Sequence, residues 1–289
     1  MIKRLSALGC EIVQIARADL GKRESWQRVL PGVDAVFHFA AQTSVYEAER
    51  DPEADRQANV LPMRKLLDAC GDSVAHPFIV FAGSVTQCGL PPRAVVDESL
   101  PDQPVTAYDR HKLEAERLLE QAVRAGAARG CTLRLANIYG PGAARGSADR
   151  GILDRMMMRA LRGEPITLYG EGAQLRDYLY VDDAIEAFVA AAVQAEQTDG
   201  RHFVVGSGEG RSLADAFALV ARRAAMLNGR KVEVLRQPLA ADLSPIEARS
   251  SSVDASRFRA ATGWSPQVAF LDGVDRSLAA LQMPSAQTA

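Results

Sequence analysis

Glycine is thin at the front of this chain. The first 40 of its 289 residues hold only Gly9, Gly21 and Gly32. That spacing cannot build a Gly-x-x-Gly-x-x-Gly turn, whose backbone N–H groups would cradle a dinucleotide pyrophosphate at a helix N-terminus. Cysteine is sparse too. Cys10, Cys70, Cys88 and Cys131 stand far apart, without metal-ligand spacing, and read as reduced thiols of a cytoplasmic protein. The four histidines do not cluster, so no metal set emerges. No apolar run approaches the roughly 20 residues of a membrane span. The basic start, Met1 to Arg4, leads only to Glu11 and Gln14, which interrupt any signal-peptide core. A net charge of -2 leaves no footprint for nucleic acid or an anionic membrane. A chain that is 47% hydrophobic and 24% charged does suffice for one large or two small globular domains.

What is present alternates. Apolar strand patterns at Glu11–Ala16, Ala35–Phe39, Phe78–Ala82 and Thr132–Leu135 are separated by helical patterns at Arg23–Leu30, Pro52–Ala69 and Thr106–Ala125. Such alternation argues for a parallel α/β sheet. After Tyr139-Gly140-Pro141-Gly142 the texture changes to short segments punctuated by Gly and Pro, with helices at Ile152–Leu161, Asp183–Val193 and Leu213–Ala225. This reads as a smaller α+β region around the ends of the sheet. The tail after Pro284 is expected to fray.

Tyr108 and Lys112 carry the chemistry. Four residues apart on the Thr106–Ala125 helix, they lie one turn apart on one face. A nearby ammonium favours a phenolate and lowers the phenol's pKa from about 10. Ser84 follows the Phe78–Ala82 strand, at the edge where open α/β sheets bind ligands. Its hydroxyl can hold a substrate hydroxyl in line with the phenol. Together these parts suit moving a proton on or off a carbinol while a nicotinamide exchanges hydride. Gly206-Ser207-Gly208-Glu209-Gly210 also follows a strand, but its spacing is wrong for a dinucleotide loop and reads as a structural turn. Arg134, Arg176 and Arg249 stand in short motifs, and arginine binds phosphate bidentately; any one of them is, on base rates, a solvated charge.

These residues resemble the NAD-dependent sugar-nucleotide epimerase/dehydratase group of the extended short-chain dehydrogenase/reductases, UDP-glucose 4-epimerases among them. The likeness runs from about Leu5 to the end. It includes Gly32-Val-Asp-Ala-Val-Phe-His-Phe-Ala-Ala-Gln42, Asn59-Val60, Ser84, Tyr108, Lys112 and Leu133-Arg-Leu-Ala-Asn-Ile-Tyr-Gly-Pro-Gly142. It continues through Leu168-Tyr-Gly-Glu-Gly172, Gln174-Leu-Arg-Asp-Tyr178, Val181-Asp-Asp183, Val205-Gly-Ser-Gly208 and Thr262-Gly-Trp-Ser-Pro266. The resemblance implies a Rossmann-like, doubly wound parallel sheet, N-terminally truncated, with a smaller α+β substrate-binding domain. It places the dinucleotide domain at 1–140 plus about 177–206, and the substrate domain at 141–176 plus 207–289.

The same resemblance implies roles. Tyr108 is the acid/base, Lys112 tunes it and holds the nicotinamide ribose, and Ser84 orients the sugar hydroxyl. Asp19 and Leu20 receive adenine. Ala40, Ala41, Gln42 and Asn59 line the cofactor, NAD or NADP. Thr86, Asn137, Tyr169, Arg176 and Arg249 hold a nucleotide sugar. A homodimer is implied, with no nucleic-acid or membrane partner. Three departures stand out: Cys88-Gly89 replaces the family's Tyr-Gly, His111 replaces its usual serine before the lysine, and the glycine-rich loop is not in residues 1–40. By Asp19, the first strand here resembles the family's third, otherwise its second.

The family's 4,6-dehydratases carry an Asp-Glu pair after the loop Ser/Thr, and its decarboxylating members a Glu. Val85-Thr86-Gln87 offers no acid. The leading reading is therefore a 4-epimerase or 4-ketoreductase. Two others stay open: a partner-dependent or non-catalytic remnant, and a chain that starts late relative to its gene. On any of them residues 1–289 alone are expected to bind NAD weakly, and Ala35–Phe39 to show an unpaired apolar edge that makes the chain poorly soluble, with Glu11–Ala16 sliding into the vacant lane or a gap left there.

Overall fold

The computed structural model describes residues 1–71, 76–141, 151–238 and 245–282. Gly142 and the tail after Pro284 lie outside them. Eleven strands run in chain order: β1 (Ala35–His38), β2 (Phe78–Ser84), β3 (Val95–Val96), β4 (Arg129–Leu135), β5 (Asn137–Tyr139), β6 (Ile166–Tyr169), β7 (Leu175–Tyr180), β8 (His202–Val205), β9 (Gly210–Ser212), β10 (Val234–Gln237) and β11 (Ser252–Val253). The main sheet is parallel, in the order β1-β2-β4-β8. Helices cover both faces, because the strand period of two sends alternate side chains to opposite layers. Ile79 and Phe81 of β2 join Leu66, Leu119 and Trp26 on one side. Phe78 and Val80 join Phe188, Phe203 and Phe258 on the other. Each such side chain contributes roughly 1.5–3 kcal/mol by leaving water.

A second set of elements has a core of its own. It holds the β5-β7-β9 sheet and the β6/β10 pair, over a core that includes Met157, Phe217 and Val274. The β3/β11 pair joins its return segment to the loop after β2. Ala255, Phe258 and Trp264 pack back under the main sheet, against Phe188 and Phe203.

Most expected elements form near their expected bounds. The catalytic-motif helix runs Ala107–Arg124, and Thr106 caps it in a reciprocal box with Asp109. The 52–69 helix is in fact two, Pro52–Asn59 and Leu61–Cys70. Pro62 has no N–H to give the carbonyl of Ala58, so the ladder breaks at Val60. Glu11–Ala16 is not a strand, which corrects the sequence reading. Among the described residues β1 bonds only β2, and no strand fills its outer side. The 11–16 segment neither slides into that lane nor pairs elsewhere, and a strand without a ladder partner leaves its backbone groups to water. No described helix is long and apolar enough to cross a membrane.

Candidate active site

Ser84 ends β2, opposite Leu135 of β4, at the carboxyl edge of the main sheet. Its chain then turns into a short 3₁₀ segment, Val85–Cys88, which Ser84 caps. The Ser84 hydroxyl accepts from Thr86 N–H at 3.3 Å and lies 2.9 Å from the Thr86 hydroxyl. Gly89 closes the turn with φ +71°, and a Cβ there would sit 1.9 Å from the Gln103 carbonyl oxygen, so only glycine fits.

The Tyr108 phenol lies close enough to Ser84 for the serine side chain to pull its pKa down. Burial and the Asp109 charge push the phenol above its ordinary range, against that pull. Lys112 lies one turn further on and is buried, with Nζ 4.3 Å from the Phe81 ring centroid. Burial brings its ammonium down to about 8, against the opposing charges of Glu116 and Asp55. The three residues of the motif thus gather at one place. The expected electrostatics do not follow: the forces setting the phenol are burial and Asp109, not the ammonium.

His38 lies beside them. It is buried between Trp26 and Phe81, and neither ring nitrogen has a partner. Burial, then the Lys112 charge, lowers its pKa from 6.5 to about 4. Between those values the unfolded chain takes up a proton that the folded chain refuses. Stability therefore falls as pH drops from 6.5 towards 4, by up to about 3 kcal/mol at about 1.4 per unit. His38→Phe should flatten this acid limb. Denaturant melts at pH ~7 and ~4.5 should show the variant losing about 2–3 kcal/mol less than the parent, and equal losses would clear His38 of the effect.

The other residues singled out from the sequence divide. Asn59 donates to the Gln42 carbonyl at 3.1 Å and to Asp55 at 2.9 Å, and Gln42 donates to Asp55 at 2.8 Å. His111 closes the group, its Nδ1 2.6 Å from Asp55. Gln42, in the loop after β1, is thereby tied to the Tyr108–Lys112 helix through Asp55, a buried carboxylate that sequence reasoning missed. The available signal was the i, i+4 spacing of Asp55 and Asn59. Ala40 and Ala41 are half-buried in the loop after β1. Leu20 is a core residue whose carbonyl accepts from Trp26 Nε1 at 2.8 Å, and Asp19 is paired to Lys22.

On the substrate side, Arg176 and Arg249 come together: Arg176 Nη1 donates to the Arg249 carbonyl. The Arg249 guanidinium is buried and engaged inside the protein. Nε donates to Gly89 O at 2.7 Å, and Nη2 lies 3.2 Å from both Thr86 O and the Asp109 carboxylate. It clamps the returning segment onto the Ser84 turn and the first turn of the Tyr108 helix. Arg134 is an internal partner of Glu116. Asn137 donates to Asp177 O at 3.0 Å, and Tyr169 is exposed at the end of β6. Asp177 itself accepts from the N–H groups of Ser207, Gly208 and Val253 at 2.7–3.1 Å. The glycine turn at 206–210 is thus an anion nest already filled by a side chain of the same protein, as a structural turn requires.

The chain is similar to a defined set of proteins. Residues 2–206 match the family model described as NAD dependent epimerase/dehydratase family. A UDP-glucose 4-epimerase of Azospirillum brasilense is 29% identical over 92% of this chain and 78% of its own. A second, from Mycolicibacterium smegmatis, is 27% identical over 85% and 75%. Among solved structures, the UDP-glucose 4-epimerase of Thermus thermophilus in complex with NAD superposes with TM-score 0.81 at 26% identity, over 97% of this chain and 94% of that one. The Thermotoga maritima UDP-glucose 4-epimerase with UDP-glucose gives 0.80 at 26%, over 90% and 82%. The family match covers well over half the chain, and the parallel sheet and the gathered Ser84, Tyr108 and Lys112 agree with it: the protein is a member of the NAD dependent epimerase/dehydratase family.

Proposed function

We propose that the site interconverts or reduces nucleotide hexoses at C4, as a 4-epimerase or 4-ketoreductase. The observation that carries this reading is the convergence of Ser84, at the carboxyl end of its strand, with the Tyr108 phenol and Lys112 on the neighbouring helix. Ser84 orients the sugar's 4-oxygen. Tyr108, held protonated by its burial, is set to donate to a 4-keto oxygen and to recover that proton when the hydroxyl is oxidised. Neither Thr86 nor Gln87 presents an acid, since Thr86 bonds Ser84 and Gln87 points inward to Glu116. This favours simple C4 redox chemistry over water loss or decarboxylation. Arg176, Asn137 and Tyr169 would meet the nucleotide diphosphate, and Arg249, engaged with Gly89, Thr86 and Asp109, would support the Ser84 turn beside it.

The Tyr108–Lys112 pair fits a nicotinamide ribose, and Ala40, Ala41, Gln42 and Asn59 fit the flank of NAD or NADP. When bound, that cofactor supplies the hydride acceptor. Residues 1–40 offer no glycine turn opening a helix for its pyrophosphate, and among the described residues β1 has no outer neighbour. A second reading concerns residues 1–289 taken by themselves: they hold the dinucleotide only together with a further segment. The test is calorimetric titration of NAD into the purified chain, alongside chromatography of UDP-galactose incubated with it. The expected result is weak NAD binding, with UDP-glucose formed at a rate that climbs into millimolar NAD. Micromolar binding would remove the second reading. No product at any NAD concentration would remove the epimerase form of the first.

A further inference from the structure

A buried polar chain under the Ser84 turn is not absorbed by this reading. The Ser84 N–H donates to Gln87 Oε1 at 2.9 Å, and Gln87 Nε2 donates to Glu116 Oε2 at 2.9 Å. Arg134 Nε lies 3.1 Å from both Glu116 oxygens, and its Nη1 pairs with Asp102 at 2.8 Å. Gln87 is fully buried, and Glu116 and Arg134 are about 5% exposed. The Gln87 backbone is pinned as well, its carbonyl accepting from Gln103 N–H at 3.1 Å. Gly83 leaves the needed room, since a Cβ there would lie 2.6 Å from Thr132 Cγ2 and 3.3 Å from Gln87 Oε1.

The geometry of the helix gives this chain a purpose. Glu116 sits one turn beyond Lys112 and two turns beyond Tyr108, on the same face. One carboxylate therefore connects the helix bearing the acid/base to the strand end bearing Ser84. Gln87 is the sole side chain bridging them in this chain of bonds, and it uses both ends of its amide to do so. An amide is required there. An apolar residue would strand the Ser84 N–H and leave Glu116 Oε2 to Arg134 alone, and an acid would set two acceptors against each other.

We propose that Gln87 is a positioning residue: braced by Glu116 and Arg134, it sets the spacing between the Ser84 hydroxyl and the Tyr108 phenol. This rests on reading Ser84 and Tyr108 as the groups that handle the C4 oxygen. Gln87 touches neither substrate nor cofactor. It acts through the placement of Ser84, where an error of about 1 Å costs on the order of 10²-fold in rate.

The test uses the full chain with three variants: Gln87→Leu, Gln87→Glu, and the double variant Gln87→Glu/Glu116→Gln, which reverses the direction of the bond and keeps the total charge. Steady-state kinetics are read beside amide hydrogen exchange at Ser84. Gln87→Leu should lower kcat by roughly 10–100-fold with KM for the nucleotide sugar within about two-fold, and should speed Ser84 exchange while leaving Val80 unchanged. Gln87→Glu should lose kcat as well, and the double variant should recover most of both kcat and Ser84 protection. Recovery by a charge swap is not expected of a residue that merely fills space. If Gln87→Leu keeps both the parent kcat and the parent Ser84 exchange, the proposal is overturned. It is also overturned if the double variant is no better than Gln87→Glu. Should the parent turn over no nucleotide sugar, the functional reading falls, and the Ser84 exchange of the three variants alone decides the brace.

Discussion

Tyr108→Phe should lower C4 interconversion by roughly 10²–10⁴-fold, the usual worth of a positioned acid/base. The substitution removes one oxygen and leaves the ring's packing intact. Ser84 keeps its two bonds to Thr86, so no buried hydroxyl is stranded. Folding stability should change by less than about 1.5 kcal/mol, the net worth of one hydrogen bond. The structure also says which way the proton leans. Burial and Asp109 hold the phenol in its neutral form, so the hydroxyl is ready to donate. Steady-state kinetics with a nucleotide hexose, next to a denaturant melt, would separate the two effects. Turnover near that of the parent would require another proton carrier.

Lys112→Met should do the opposite to stability while also abolishing efficient turnover. The folded-state pKa of about 8 lies below the ordinary lysine value of 10.5. Between those values the unfolded chain binds the proton more tightly, so the stability that Lys112 allows is lowest below pH 8 and rises through pH 10.5. At neutral pH the buried ammonium therefore costs about 3 kcal/mol. Methionine removes that cost but also loses the contact over Phe81, worth about 0.5–2 kcal/mol. The net gain should be about 1–3 kcal/mol at pH ~7, and it should shrink above pH ~10. Melts at the two pH values would check both the sign and the loss of the gain at high pH. A variant less stable than the parent at neutral pH would mean the ammonium is better paired than its burial suggests. Such an exchange of stability for function is the usual mark of a charge kept for chemistry.

Much of this was legible in local sequence. Thr106 announces the helix that carries Tyr108 and Lys112, because a cap and its reciprocal acid lie three residues apart. Ala35–His38 and Phe78–Ser84 are apolar enough to declare buried parallel strands. Other features depend on distant partners. The Glu11–Ala16 pattern looks like a strand, but strand formation needs a neighbouring edge, and local pattern does not supply one. The single helix expected across Pro52–Ala69 ignored the cost of Pro62. Arg249 reads as a phosphate ligand from its motif; its bond to Asp109, 140 positions away, has no signal in local sequence. Gln87 looked like the absence of an acid; its meaning lies in Glu116, 29 positions later.

The clamp formed by Arg249 has a consequence for how the molecule is assembled. Its bond to Gly89 O closes a loop of 160 residues, and Val253 N–H reaches Asp177 across 76. Closing such long loops costs entropy before any contact repays it. The strands and the Tyr108 helix can pair early, from segments near in sequence. The Ser84 turn receives the Arg249 clamp only after residues up to 249 have been made and folded back. The part of the protein closest to the chemistry is therefore among the last to become ordered during synthesis.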